Sequence, residues 1–177
     1  MRKASTPMHR VYIGLGGNLP SHIGTPRETL IEAMRLLGSL GRLVGQSSLY
    51  ETAPVDYADQ PPFVNAVACV ETRLEPEALL DSLLEIERRF GRDRASSIPK
   101  GPRSLDLDLL LFDNDVIRTD RLTVPHPELE RRRFVLAPLA ELAPQLPHPL
   151  LRQTMAQLLA SLPDQGANHT QAVRQLP

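Results

Sequence analysis

Residues 101–115, GPRSLDLDLLLFDND, form a hydrophobic run broken at two positions. From Leu105 to Phe112 every side chain is apolar except Asp106 and Asp108. The run reads as a buried β-strand. Successive strand residues face opposite sides of a sheet, so positions two apart share a face and their carboxylates lie roughly 6–7 Å apart. Like charges at that spacing repel, and burying an ionised carboxylate is costly unless positive charge offsets it. A metal ion or a group of arginines would supply that charge. Repulsion alone implies that removing either acid leaves the fold intact or firmer.

Working outward, VYIGLGGN (11–18) is a β-branched and aromatic run closed by glycines, hence a strand and a tight turn. TPRETLIEAMRLLGSLG (25–41) opens with a Thr N-cap, proline at the first helical position and Glu28 three residues after the cap. Apolar residues at 30, 31, 34 and 37 complete a helix. RLVGQSSLYET (42–52) and FVNAVACVETR (63–73) read as strands around the surface loop APVDYADQPP, and EPEALLDSLLEIERRFG (75–91) reads as a second helix. The order β-α-β-β-α-β predicts an α+β fold, a ferredoxin-like sandwich with a largely antiparallel sheet and helices on one face. The segment 124–163 predicts a C-terminal extension of short helices punctuated by prolines. Residues 11–162 are read as one domain, with a flexible N-terminus over 1–10 and a disordered polar tail over 163–177.

A chain of 177 residues, 41% hydrophobic and 23% charged, suits one globular core. No stretch has the 18 or more consecutive apolar residues of a membrane span, and MRKASTPMHR lacks the apolar segment of a signal peptide. A cytoplasmic protein with no membrane association is expected. Cys69 is the single cysteine, so no disulfide framework exists and a buried thiol in a strand is expected. A net charge of -1 argues against whole-molecule attraction to nucleic acid. Locally the charge is concentrated, because ten arginines fall between Arg88 and Arg133. Guanidinium forks suit phosphate oxygens.

Two carboxylates on one strand face bind a hard cation such as Mg²⁺, and two such ions can share a pair of aspartates when substrate phosphates complete their shells. The polar loop just before the strand, GRDRASSIPKGPR, supplies Arg92, Arg94, Lys100 and Arg103 in the manner of a lid over a nucleotide. There is no G-x-x-x-x-G-K-[ST] loop, and GLGGN does not complete G-x-G-x-x-G because position 19 is Leu. Cys69 and the five histidines have no zinc-ligand spacing. His126, between two prolines and ahead of an arginine cluster, is either a phosphate or ribose contact or a structural histidine. Phosphoryl chemistry is the best reading of these residues. An RNA-binding module and a two-metal nuclease stay open as alternatives.

KGPRSLDLDLLLFD, whose G-P-R-x-L-D-x-D segment is highly specific, together with LTVPHPELERRRFVLAPLAELAP, GGNL and FVNAV, in the right order over roughly residues 11–160, closely resembles the 6-hydroxymethyl-7,8-dihydropterin pyrophosphokinases of folate biosynthesis. The resemblance implies Mg²⁺-dependent transfer of pyrophosphate from ATP to the hydroxymethyl group of a reduced pterin, with release of AMP. It implies that Asp106 and Asp108 hold two Mg²⁺ ions and that Arg92 and Arg103 are loop arginines of catalysis. It assigns Glu87, Arg94, Arg121, Thr123, His126 and Arg132 to ATP. Thr52, Pro54, Val55, Phe63, Asn65 and Phe134 match the pterin pocket, two rings sandwiching the heterocycle while Asn65 reads its edge. The partners implied are these two small molecules, with no nucleic acid and a monomeric protein.

Overall fold

The computed structural model describes residues 7–54, 59–92, 101–163 and 172–177. The predicted α+β fold is present. A six-stranded antiparallel sheet has the order β5-β1-β4-β3-β8, with β2 also paired to β4. Its strands are β1 (His9–Gly17), β2 (Arg42–Gln46), β3 (Tyr50–Thr52), β4 (Phe63–Thr72), β5 (Asp106–Phe112) and β8 (Val173–Gln175). A two-stranded ribbon of β6 (Ile117–Arg118) and β7 (Thr123–Val124) stands apart. Among the described residues no helix is long and apolar enough to cross a membrane.

α1 (Pro26–Leu37) starts where the sequence places it. Thr25 Oγ1 accepts from the Glu28 amide, and the Glu28 carboxylate accepts from the Thr25 amide at 2.8 Å. These bonds, the backbone one first, hold the Glu28 carboxyl below its ordinary pKa. α2 (Pro76–Arg89) also begins at a proline. Both helices lie on one sheet face, where Leu30, Leu37, Leu79 and Leu83 meet Val11, Ile13, Ala68 and Val70 in a core that excludes water. Each fully buried leucine contributes about 1.5–3 kcal/mol of burial free energy.

The C-terminal extension is α3 (Arg133–Leu142) and α4 (Met155–Ser161), and it covers the opposite face. Leu136, Leu139, Met155 and Leu158 pack there against Tyr12, Val67, Cys69 and Leu110. The sheet is therefore covered on both faces, not one. A bulge sets up this second core: opposite Tyr12/Ile13 the register of β5 slips by one residue, so that Leu110 and Leu111 both join it while Leu109 stays in the first. Cys69 is a free, buried thiol whose pKa burial raises.

Two features depart from the expected order. The strand read over 42–52 is two segments, because Ser47 takes over the ladder: its Oγ accepts from the Val67 amide at 2.9 Å while its amide donates to the Val67 carbonyl. Pairing resumes at Tyr50↔Asn65, one residue out of step with Gln46↔Ala68. At the other end of the chain, where composition predicted a disordered tail, Val173–Gln175 pairs antiparallel with β3. An open edge strand offers unsatisfied backbone groups that a polar segment can take up without an apolar side chain.

Candidate functional site

The site forms on the second face, where α3 begins and the sheet lies bare. In register across three strands, Asp106 pairs with Gly16 and Gly16 with Asn65; one step along, Asp108 pairs with Gly14 and Gly14 with Val67. Strands are about 4.7–4.9 Å apart, so a glycine trough roughly 10 Å wide separates the acids from Asn65. A Cβ on Gly16 would stand 3.0 Å from Asn65 Oδ1, so any larger residue there would push the Asn65 amide aside. Arg132, Phe134 and Val135 at the start of α3 close one side of a cleft open to solvent.

Asp106 and Asp108 share this face, as the period of two requires. Asp106 sits between two guanidiniums: Arg92 Nη2 lies 3.5 Å from Oδ1, and Arg103 Nε lies 3.0 Å from Oδ2. The second contact is an ion pair without hydrogen-bond alignment. The Nε–H groups of both arginines are buried and make no hydrogen bond among the described residues. Donors held this way beside a carboxylate, those of Arg103 in the lining of the cleft, are ready for the oxygens of a further anion. His126 Nε2 stands 4.0 Å from Asp108 Oδ2. Because His126 Nδ1 accepts from the Glu128 amide at 3.2 Å, the ring proton of the neutral form is on Nε2, toward Asp108. Burial first, and then nearby Arg132, lower the pKa of His126 and favour that neutral form.

Among the described residues no group of three or more His, Cys, Asp or Glu side chains forms a cage for a metal. An aspartate pair is an incomplete donor set of hard oxygens. It fits an ion such as Mg²⁺, which keeps water and takes further oxygen from bound phosphate.

On the far side of the trough, Asn65 Nδ2 donates to Thr52 Oγ1 at 2.8 Å, both residues being buried. Phe63 lies beside the trough with the Arg103 guanidinium 4.9 Å over its ring, and Arg132 lies 5.7 Å over Phe134. Arg103 thus spans both halves, touching Asp106 and Phe63. Asn65 and Phe134 line one cleft, Thr52 reaches it through its bond with Asn65 and Phe63 through Arg103, and Pro54 stands at the start of the loop leaving β3. Val55, Arg94 and Lys100 fall outside the described residues.

Two of the residues matched to ATP have other partners. Arg121 is held by Asp81 and by Glu77 Oε2, 3.3 Å away, both acids of α2. Glu87 is 1% exposed, and its Oε1 accepts from the Leu107 amide at 2.7 Å between the two aspartates. Its carbonyl also takes the Arg92 amide at 3.1 Å, so Glu87 fixes the strand and the loop start together. Thr123 is exposed in β7, close in sequence to His126.

Asn18, singled out only as part of GGNL, is a tie beside the cleft that the sequence did not reveal. It is 2% exposed; Nδ2 donates to Gln60 Oε1 at 3.0 Å and to the Pro61 carbonyl at 2.9 Å, while Oδ1 accepts from the Arg103 amide at 2.9 Å. It ties the end of the loop after β3 to the segment carrying Arg103. A buried asparagine directly after a glycine pair at a strand end is the signal that could have found it.

Residues 12–144 match the family described as 7,8-dihydro-6-hydroxymethylpterin-pyrophosphokinase (HPPK). The 2-amino-4-hydroxy-6-hydroxymethyldihydropteridine pyrophosphokinase of Pseudomonas aeruginosa is 45% identical over 161 residues, 90% of this chain and 95% of that protein. The Haemophilus influenzae protein of the same name is 42% identical, covering 92% of this chain and 96% of its own length. Folic acid synthesis protein fol1 of Schizosaccharomyces pombe is 40% identical over 92% of this chain, which spans only 22% of that longer protein. In fold, the chain resembles wild-type Plasmodium falciparum HPPK-DHPS solved with pteroate, at a TM-score of 0.70 and 15% identity, over 89% of this chain and 45% of that one. Sequence and fold agree, and the chain belongs to the HPPK family of pyrophosphokinase enzymes.

Proposed function

We propose that this enzyme transfers pyrophosphate from ATP to the hydroxymethyl group of 6-hydroxymethyl-7,8-dihydropterin in folate biosynthesis, with Mg²⁺ and in the cytoplasm. The substrate hydroxyl oxygen bonds to the β-phosphorus, the bond from that phosphorus to the α–β bridging oxygen breaks, AMP leaves, and the hydroxyl proton passes to solvent. The observation that carries this reading is the pair of buried, unbonded Nε–H groups of Arg92 and Arg103 beside Asp106, across a trough from Asn65. Those donors suit a phosphate chain laid along the acidic strand, and the trough suits a flat heterocycle between Phe63 and Phe134.

Asp106 and Asp108 would hold Mg²⁺, two ions on this reading, which when bound neutralises phosphate charge and acidifies the attacking hydroxyl. Arg92 and Arg103 turn from Asp106 to the transferring group, whose negative charge they offset in the transition state. Neutral His126 presents its Nε2 proton to phosphate oxygen, and Arg132 adds a fixed positive charge beside it. Thr123, Arg121 and Arg94 complete the ATP side, Arg121 by exchanging its α2 carboxylates for phosphate. On the pterin side, Asn65, oriented by Thr52, hydrogen-bonds the ring edge, with Pro54 and Val55 forming the wall. Catalysis is then mainly alignment of hydroxyl and β-phosphorus.

Incubation with ATP, Mg²⁺ and the reduced pterin should yield AMP and the pterin diphosphate in equal amounts. Formation of ADP, or AMP release that ignores the pterin, would reject the proposal.

A further inference from the structure

The pterin side of the cleft depends on a short element. β3 is only three residues long, and its last residue is Thr52, the partner of Asn65. On its inner side it pairs with β4; on its outer side the chain itself supplies a strand, with Tyr50↔Gln175, Glu51↔Arg174 and Thr52↔Val173 in register. The pairing continues through the Leu176 amide, which donates to the Leu49 carbonyl at 2.8 Å. Side chains secure it: Arg174 to Glu51 at 2.7 Å, Gln175 Nε2 to Ser48 Oγ at 2.7 Å, and Arg27 Nη2 to the Pro177 carbonyl at 2.6 Å.

The inner end of the same brace is Glu141 of α3. Its carboxylate accepts from the Ser48 amide, the Ser48 hydroxyl and the Tyr50 hydroxyl, the last two at 2.8 Å. Thus β3 is pinned to the helix that also carries Phe134, and its free edge is closed by residues far from the rest of the site in sequence. Of that closing segment only Leu176 packs on a hydrophobic core. The strand is placed to set local register more than global stability.

We propose that residues 172–177 are a positioning strand for the heterocycle side of the site, holding Thr52 against Asn65 so that the Asn65 amide is oriented before ligand arrives. The inference rests on the pterin reading of that pocket. When binding needs a conformation occupied only part of the time, apparent affinity falls by that fraction. If β3 without its outer partner is in register about a tenth of the time, the loss is about tenfold.

The test compares the full chain with a form lacking residues 172–177, with Arg174→Pro and with Asn65→Ala. In an antiparallel ladder inward-facing amides alternate, so the Leu176–Leu49 bond places the Arg174 amide toward β3 as well, and proline there removes a ladder bond without shortening the chain. Affinity for the reduced pterin is read in the presence of Mg²⁺ and a non-hydrolysable ATP analogue, and affinity for the analogue is read alone. The truncated protein should bind pterin about tenfold more weakly and Arg174→Pro about threefold, both keeping analogue affinity within twofold. Amide exchange at residues 50–52 should accelerate in both. Adding the peptide AVRQLP at millimolar concentration should restore pterin affinity to the truncated protein. Pterin affinity within twofold of the full chain, or equal loss for both ligands, would overturn the inference, as would a truncated protein that fails to fold. If Asn65→Ala leaves pterin binding unchanged, the pocket reading itself is wrong and the inference falls with it; if Asn65→Ala weakens pterin while truncation does not, only the positioning role is lost.

Discussion

Replacing Asn18 by alanine isolates the joint between the two loops that flank the cleft. The variant loses three side-chain hydrogen bonds, to Gln60, Pro61 and the Arg103 amide, while the main-chain bonds from residues 18 and 19 to the Arg103 carbonyl remain. A hydrogen bond is worth about 0.5–1.5 kcal/mol net, and a buried partner left unbonded costs about 1–3 kcal/mol. Gln60 and Pro61 lie toward solvent, where water replaces the lost donor, so the Arg103 amide dominates the sum. The expected destabilisation is about 1.5–3 kcal/mol, a fall in Tm of roughly 3–12 °C at about 2–4 °C per kcal/mol. Urea denaturation gives the free energy, and hydrogen exchange at the Arg103 amide reports the joint directly. A loss under about 0.5 kcal/mol with unchanged protection of that amide would refute the assignment of Asn18 as the tie.

Arg92→Ala should cut kcat by roughly 10²–10³-fold while leaving affinity for a non-hydrolysable ATP analogue nearly unchanged, and single-turnover rates at the wild-type value would remove Arg92 from catalysis. Asp106→Ala should abolish turnover and, in metal-free buffer, lower stability by about 1–3 kcal/mol, because two largely buried guanidiniums lose their counter-charge while water reaches part of each. Chemical denaturation in EDTA decides it, and a stabilised variant would show that repulsion from Asp108 outweighs both arginines. His148 is 4% exposed, and its Nδ1 accepts from the Leu150 and Leu151 amides at 3.2 Å each. Burial lowers its pKa, so the folded state binds the proton less readily than the unfolded chain. Its contribution is therefore complete above the unfolded value of about 6.5 and is lost as pH falls below it toward the lowered folded value. His126 shifts in the same direction. Tm should fall between pH 7 and 5, and His148→Asn, which keeps an acceptor for the two amides, should flatten that fall; an unchanged slope would contradict the assignment.

Elements set by local periodicity could be read from the chain. The acid pair on one strand face, the capping box of α1 and the proline starts of both long helices each depend on residues within a few positions of one another. What escaped depends on distant partners. Ser47 breaks a strand only because Val67 lies across from it, and a proline-rich helical extension gives no hint of which sheet face it will cover. The polar tail lacks the apolar pattern of a strand, since β8 is held by edge hydrogen bonds and ion pairs. The repulsion argument for the aspartates omitted the arginines that sit beside Asp106, because Arg92 comes from the end of another helix. The family resemblance matched Arg121 to ATP, and only the fold sets the acids of α2 beside it.

The trough between the acids and Asn65 is floored by the backbone of Gly14 and Gly16. Peptide groups present the same surface whatever side chains evolve around them, so the depth of the cleft is not open to gradual adjustment. A methyl group at 16 would press on the Asn65 side chain, while one at 14 would meet Leu110 at ordinary contact distance and narrow the trough there. Selectivity must be tuned from the rim, on β4, β5 and the start of α3. An inhibitor that draws its affinity from the floor would face few single-residue routes to resistance that leave the enzyme working.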